Sequence, residues 1–83
     1  MEKSIYTREY AVLLGQLREA RREAGVTQVD LAKRLKQSQS FVTKVECGDR
    51  RLDLIQLRTI CNELGLSLPE FVNRLERSLR PSK

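Results

Sequence analysis

Histidine and tryptophan are absent from the 83-residue sequence, and cysteine occurs at only two positions. Without histidine, the chain has neither the most frequent general base of enzymes nor their most frequent metal ligand. Cys47 and Cys61 are too few for a zinc site or a disulfide framework, and we expect them to be small core or turn residues. A chain of this length encloses only a small core. We therefore expect no enzyme, no metal and no cofactor.

Long apolar runs are also absent, so the sequence predicts no membrane span and no signal peptide. A reducing cytoplasm is the simplest location for such a chain. Sixteen lysines and arginines stand against eleven aspartates and glutamates, which gives a formal net charge of +5. This surplus fits a polyanionic partner such as nucleic acid, although many solvated surfaces carry a similar one.

Turn and capping signals divide the sequence into helices. Three glycines follow amphipathic stretches, where helices commonly end in left-handed backbone: Gly25, Gly48 and Gly65. Four residues that can cap a helix N-terminus lie beyond them or between them: Thr27, Ser38, Asp53 and Ser67. The sequence therefore predicts an all-α domain over residues 7–79, with flexible ends at 1–6 and 80–83. Its five helices are expected at residues 7–24, 28–35, 39–46, 54–64 and 68–79.

The second and third predicted helices have the spacing of a helix-turn-helix unit. Both are short, they are joined by a brief polar turn, and each carries a narrow apolar stripe. Ala32 in the first of the two is small, which lets the other helix cross it closely.

A longer pattern surrounds this unit: Thr27-Gln28-x-x-Leu31-Ala32-x-x-Leu35-x-x-Ser38-Gln39-Ser40-x-Val42-x-Lys44-x-Glu46-x-Gly48-x-Arg50. With the upstream spacing of Leu17, Arg21 and Gly25, it resembles the Cro/C1-type (XRE) family of helix-turn-helix DNA-binding domains over about residues 10–75. The resemblance implies a five-helix, lambda-repressor-like fold with the helix-turn-helix at the second and third helices. It also implies transcription regulation through double-stranded DNA.

In this family the second helix of the motif lies in the major groove of DNA, with its N-terminal residues at base edges. The residues implied as base contacts are Gln39, Ser40, Phe41, Thr43 and Lys44. Glutamine can pair with adenine and lysine can donate to guanine. Solvation is the alternative for Gln39 and Lys44, and packing against the neighbouring turn is the alternative for Phe41.

Contacts to DNA phosphates are expected from residues near the same face, which are Gln28, Lys36, Ser38, Arg50 and Arg51. Ordinary solvation is the alternative for the charged members of this set, and Asp49 beside the arginines weakens the case for that loop. The resemblance further implies that Arg21 and Glu46 form a largely buried structural ion pair.

The last predicted helix carries an apolar stripe that begins at Leu68, and its candidate dimer surface is formed by Phe71, Val72, Leu75 and Leu79. This stripe can pack on a second copy, giving a homodimer that reads two half-sites, or it can close the core of its own chain. The simplest function is a repressor that binds a palindromic operator as a dimer. A restriction-modification controller, or an antitoxin-type protein-interaction module that also binds DNA, remains an alternative. No small-molecule ligand is expected.

Overall fold

The computed structural model describes residues 7–80, which form five α-helices and no strand. The predicted all-α fold is confirmed, and every helix end lies within one residue of its expected position. The segments 1–6 and 81–83, which we expected to be flexible, lie outside the described residues. The helices are α1 Arg8–Glu23, α2 Gln28–Leu35, α3 Gln39–Cys47, α4 Leu54–Glu63 and α5 Leu68–Leu79.

Side chains close the N-terminus of each of these helices. The capping residues are Thr7, Thr27, Ser38, Asp53 and Ser67, and the side chain of each accepts a backbone N–H from the first turn. The caps of α2, α4 and α5 are complete capping boxes, because the third helical residue also accepts the backbone N–H of the cap. Local sequence signals therefore fix where the helices begin.

The end of α2 has a backbone conformation that the sequence does not indicate. Gly25, Gly48 and Gly65 have positive φ angles, as their positions predict, but Lys36 also adopts left-handed backbone with φ 57°. The N–H of Gln37 donates to the carbonyl of Ala32 at 2.9 Å and closes this turn. Left-handed backbone costs a residue with a Cβ atom roughly 1 kcal/mol or more, so the turn between α2 and α3 is strained.

The core lies where the five helices meet. Helix α1 packs against α3 and α5, α2 packs against α3 and α4, and α4 packs against α5. Ala32 is buried at the crossing of α2 and α3, and Phe71 of α5 is fully buried. Cys61 is buried in α4, and this burial raises the pKa of its thiol to about 11, as expected for a core residue. Within residues 7–80, each helix is too short or too polar to span a lipid bilayer.

The apolar stripe of α5 mostly faces its own chain. Phe71 lies in the core and presents no surface to a second copy, contrary to its expected place in a dimer interface. Leu75 and Leu79 are half-buried and line a hollow with Tyr10 and other residues of α1. Val72 is the exposed member of the stripe, with 37% of its surface accessible.

Candidate nucleic-acid interface

Helix α3 presents a polar face to solvent and an apolar face to the core. Val42 and Val45 are buried, which fixes the rotation of the helix about its axis. Gln39, Ser40 and Lys44 are exposed as a result. The outward face therefore carries three of the side chains expected at base edges, and each can form hydrogen bonds with the edge of a base.

The opposite end of α3 is held by arginines from α1. Arg21 binds the carboxylate of Glu46 through two hydrogen bonds, Nε to Oε2 at 2.6 Å and Nη2 to Oε1 at 3.1 Å. Arg18 donates from Nη1 to the backbone carbonyl of Glu46 at 2.8 Å. Because Glu46 is only 4% exposed, these charge-assisted hydrogen bonds compensate the cost of removing its carboxylate from water. The ion pair is thus present, and Arg18 is an additional contact that the sequence pattern did not indicate.

Gln28 joins the same network from α2. Its Nε2 donates to Oε1 of Glu46 at 2.9 Å, and its Oε1 accepts from the hydroxyl of Thr43 at 3.0 Å. We expected Gln28 to contact a phosphate and Thr43 to contact a base, but both side chains are hydrogen-bonded within the chain. The physical reason is that Oε1 of the buried carboxylate can accept a further donor, and α2 begins beside it.

The loop between α3 and α4 brings two arginines against aromatic rings. The backbone N–H groups of Asp49 and Arg50 both donate to the carbonyl of Lys44, at 2.9 and 3.1 Å, which turns the chain back along α3. The guanidinium of Arg50 then lies 5.0 Å from the ring centroid of Phe41. The guanidinium of Arg51 lies 4.8 Å from the ring centroid of Tyr10, in α1.

The other expected contacts occupy varied environments. Phe41 is half-buried and packs against the core, so the packing alternative describes its ring better than contact with a thymine methyl. Lys36 and Ser38 are both exposed in the turn before α3, where the hydroxyl of Ser38 caps the helix. Across residues 7–80, no group of three or more acidic or cysteine side chains is arranged to hold a metal ion.

The chain is similar in sequence and in structure to known proteins. The sequence profile of a family described as helix-turn-helix matches residues 17–71, more than half of the chain. A solved structure of an XRE-family like protein from Pseudomonas syringae pv. tomato str. DC3000 is 42% identical, with a TM-score of 0.80 over 88% of each chain. Among curated protein sequences, none matches the chain.

Two structures of the clp gene regulator ClgR from Corynebacterium glutamicum are also similar. One is 25% identical, with a TM-score of 0.77 over 88% of this chain and 78% of that one. The other is 24% identical, with a TM-score of 0.76 over 94% of this chain and all of that one, and it supports the fold alone.

Proposed function

The chain belongs to the XRE type of helix-turn-helix DNA-binding regulators, and we propose that it is a repressor that binds a palindromic operator as a homodimer. The observation that carries the proposal is the exposed polar face of α3, presented by a helix whose other end is held in the core. A helix fixed in this way can enter the major groove without rearranging, which reduces the cost of binding.

In this proposal the outward face of α3 reads bases, from Gln39 and Ser40 in the first turn to Lys44 in the last. The amide of Gln39 can both donate to and accept from adenine, Ser40 can donate or accept, and Lys44 can donate to guanine. Each well-formed pair of hydrogen bonds discriminates between bases by about 1–3 kcal/mol. Thr43 contributes less directly, since its hydroxyl is hydrogen-bonded to Gln28.

Phosphate contacts would set the position of α3 in the groove. Lys36 and Ser38 are exposed just before α3, and the N-termini of α2 and α3 add the partial positive charge of a helix end. Gln28 would act at the start of α2 through its backbone N–H, because its side chain is committed to Glu46 and Thr43. At least one arginine of the loop after Gly48 completes the set.

A homodimer is proposed because one unit of this size forms a small DNA interface, whereas two units on symmetric half-sites double it. The apolar surface available for pairing includes Val72 of α5 and, at the start of α4, Leu54 and Ile55, which are 64% and 68% exposed. A regulator of this kind would act in the cytoplasm, where its DNA is. By occupying promoter DNA it would repress transcription.

Selection of bound sites from random duplex DNA, at a fixed salt concentration, tests the proposal. We expect an enriched palindrome whose half-sites lie about 34 Å apart, or a multiple of that distance. Enrichment of no sequence would contradict specific binding. An asymmetric site, together with a monomer at micromolar concentration in sedimentation, would contradict the homodimer alone.

The exposure of Leu54 and Ile55 also favours a second candidate function, an antitoxin-type module with a protein partner. A controller of restriction-modification genes would instead use the same DNA-binding face and differ only in the genes it regulates. Expression of the chain and of each genomic neighbour from unrelated promoters separates these cases, because a regulator cannot then act on the neighbour's transcription and only an antitoxin would suppress its toxicity.

A further inference from the structure

Arg50 and Arg51 are consecutive in sequence, yet their guanidinium groups lie on rings that belong to different helices. Arg50 lies over Phe41 in the first turns of α3, and Arg51 lies over Tyr10 in the first turn of α1. A guanidinium over an aromatic face gains from the negative potential of the ring and loses freedom of movement. The two arginines therefore leave the loop in different, fixed directions.

The surroundings of Arg50 suit a contact with DNA. Its ring partner Phe41 lies three residues before the exposed Lys44 in α3, on a neighbouring part of the helix surface, so Arg50 is held beside the face that is proposed to read bases. Within residues 7–80, the side chain of Arg50 makes no hydrogen bond and no ion pair. Stacking uses the flat face of a guanidinium, and the N–H groups in its plane remain available for a phosphate.

The surroundings of Arg51 suit a structural contact instead. Its partner Tyr10 lies at one end of α1. Arg21, which binds Glu46, lies at the other end, about 16 Å away along the helix at 1.5 Å per residue. At the Tyr10 end, Arg51 lines a hollow with Glu9 of α1 and with Leu75 and Leu79 of α5. This position is remote from the end of α1 that contacts α3.

We propose that the two arginines have different roles. Phe41 is a positioning residue that orients Arg50 towards a DNA phosphate. Tyr10 and Arg51 form a structural contact, called the clip, that holds the loop against α1. The proposal rests on the DNA-binding function proposed above, and it replaces the sequence-based expectation that both arginines contact phosphates. Phe41 acts through Arg50 and contacts no base.

The DNA part is tested by measuring affinity for the selected operator over a series of salt concentrations. Arg50→Ala should lower the slope of log affinity against log salt by about one ion, and Arg51→Ala should leave the slope unchanged. Phe41→Leu keeps an apolar side chain but removes the ring, and it should weaken binding by roughly three- to tenfold with the same base preference. Phe41→Tyr, which restores a ring, should restore binding.

A double-variant cycle separates positioning from a merely structural effect. In the Arg50→Ala background, Phe41→Leu should cause no further loss of affinity, because the arginine that the ring positions is already gone. Independent, multiplying losses would overturn the positioning role of Phe41. An equal reduction of the salt slope by Arg51→Ala would overturn the division of tasks.

The clip is tested without DNA, by thermal melting. Arg51→Ala and Tyr10→Leu should each lower the melting temperature, and together they should lower it no more than the larger single effect. Tyr10→Phe keeps the ring and removes a hydroxyl that is buried without a partner among residues 7–80, so it should melt no earlier than the wild type. Additive losses would overturn the clip. Absence of salt-dependent binding by the wild type would overturn the DNA-binding function and the role of Arg50, but not the clip.

Discussion

The first and last turns of α3 are built in opposite ways. Gln39 and Ser40, in the first turn, are exposed, and their side chains make no hydrogen bond to any residue between 7 and 80. Glu46, in the last turn, is buried and accepts hydrogen bonds from Arg21, Gln28 and Arg18. The outward side chains of the first turn thus have no partner among residues 7–80, whereas the last turn is fixed by three other side chains.

Stability and recognition therefore depend on different side chains of one helix of nine residues. Substitution of Glu46, or of a side chain that binds it, should change the free energy of unfolding, and DNA affinity should follow because the helix is misplaced. Substitution of the exposed Gln39 or Ser40 should change affinity or base preference in a chain that remains equally stable.

The largest effect is expected for Glu46→Ala. Removing the carboxylate leaves the buried guanidinium of Arg21 without its counter-charge, which typically costs about 3–5 kcal/mol of the free energy of unfolding. A small domain is stable by only about 5–15 kcal/mol, so a large share of its stability would be lost, and DNA binding would weaken because α3 is no longer held in place. Urea unfolding followed by circular dichroism measures the change.

Two controls accompany Glu46→Ala. Ser40→Ala, six residues earlier in α3, should leave the unfolding midpoint unchanged, because its side chain is exposed. The double change Arg21→Met with Glu46→Leu should be less destabilising than Glu46→Ala, since it strands no charge. A fully stable Glu46→Ala variant would show that the network does not fix α3.

An intermediate effect is expected for Gln28→Ala. The variant removes a donor to Glu46 and the acceptor of the Thr43 hydroxyl, so we expect a loss of about 1–2 kcal/mol in the free energy of unfolding. The sequence-based alternative, a phosphate contact by the Gln28 side chain, predicts weaker DNA binding at unchanged stability. Measuring both quantities on one preparation decides between them, with the exposed Lys33→Ala as the matched control in α2.

A change of recognition without a change of stability is expected for Gln39→Ala. The variant should lose about 1–3 kcal/mol of preference at one base pair of each half-site. Its free energy of unfolding should stay within about 0.5 kcal/mol of the wild type, because no internal contact is removed. Competition between the operator and operators mutated at single positions measures the preference. If the free energy of unfolding fell by several times this amount, the side chain of Gln39 would be shown to make contacts that stabilise the fold.

The sequence could predict most of the fold, because the signals for helix starts and ends are local. Thr27, Asp53 and Ser67 lie three residues before their capping partners, and such pairs can be found without knowing the fold. The Arg21–Glu46 pair required the family resemblance, since 25 residues separate its members. The Gln28–Glu46 contact could not be predicted, because its members lie 18 residues apart and the motif that contains them also fits a DNA contact.

The aromatic partners of the two loop arginines could not be predicted from the sequence, for a related reason. Whether an arginine turns towards α1 or along α3 depends on the path of the loop backbone, and no periodicity of the sequence encodes that path. The left-handed backbone of Lys36 is a similar case, because a lysine is not a typical residue for a positive φ angle. Local composition indicates glycine at such a site, and none is there.

The smallest effect is expected for Lys36→Gly, in the turn that precedes the first turn of α3. Glycine adopts φ near 57° without steric cost, so the variant should gain about 0.5–1 kcal/mol in the free energy of unfolding, partly offset by the greater backbone freedom of its unfolded chain. Lys36→Ala keeps the strain and removes the same charge, and it should not be stabilised. Because both variants lose the exposed ammonium, they should show the same reduction of the salt slope of DNA binding, by about one ion if Lys36 contacts a phosphate. Equal stability of the two variants would contradict a strained backbone at Lys36.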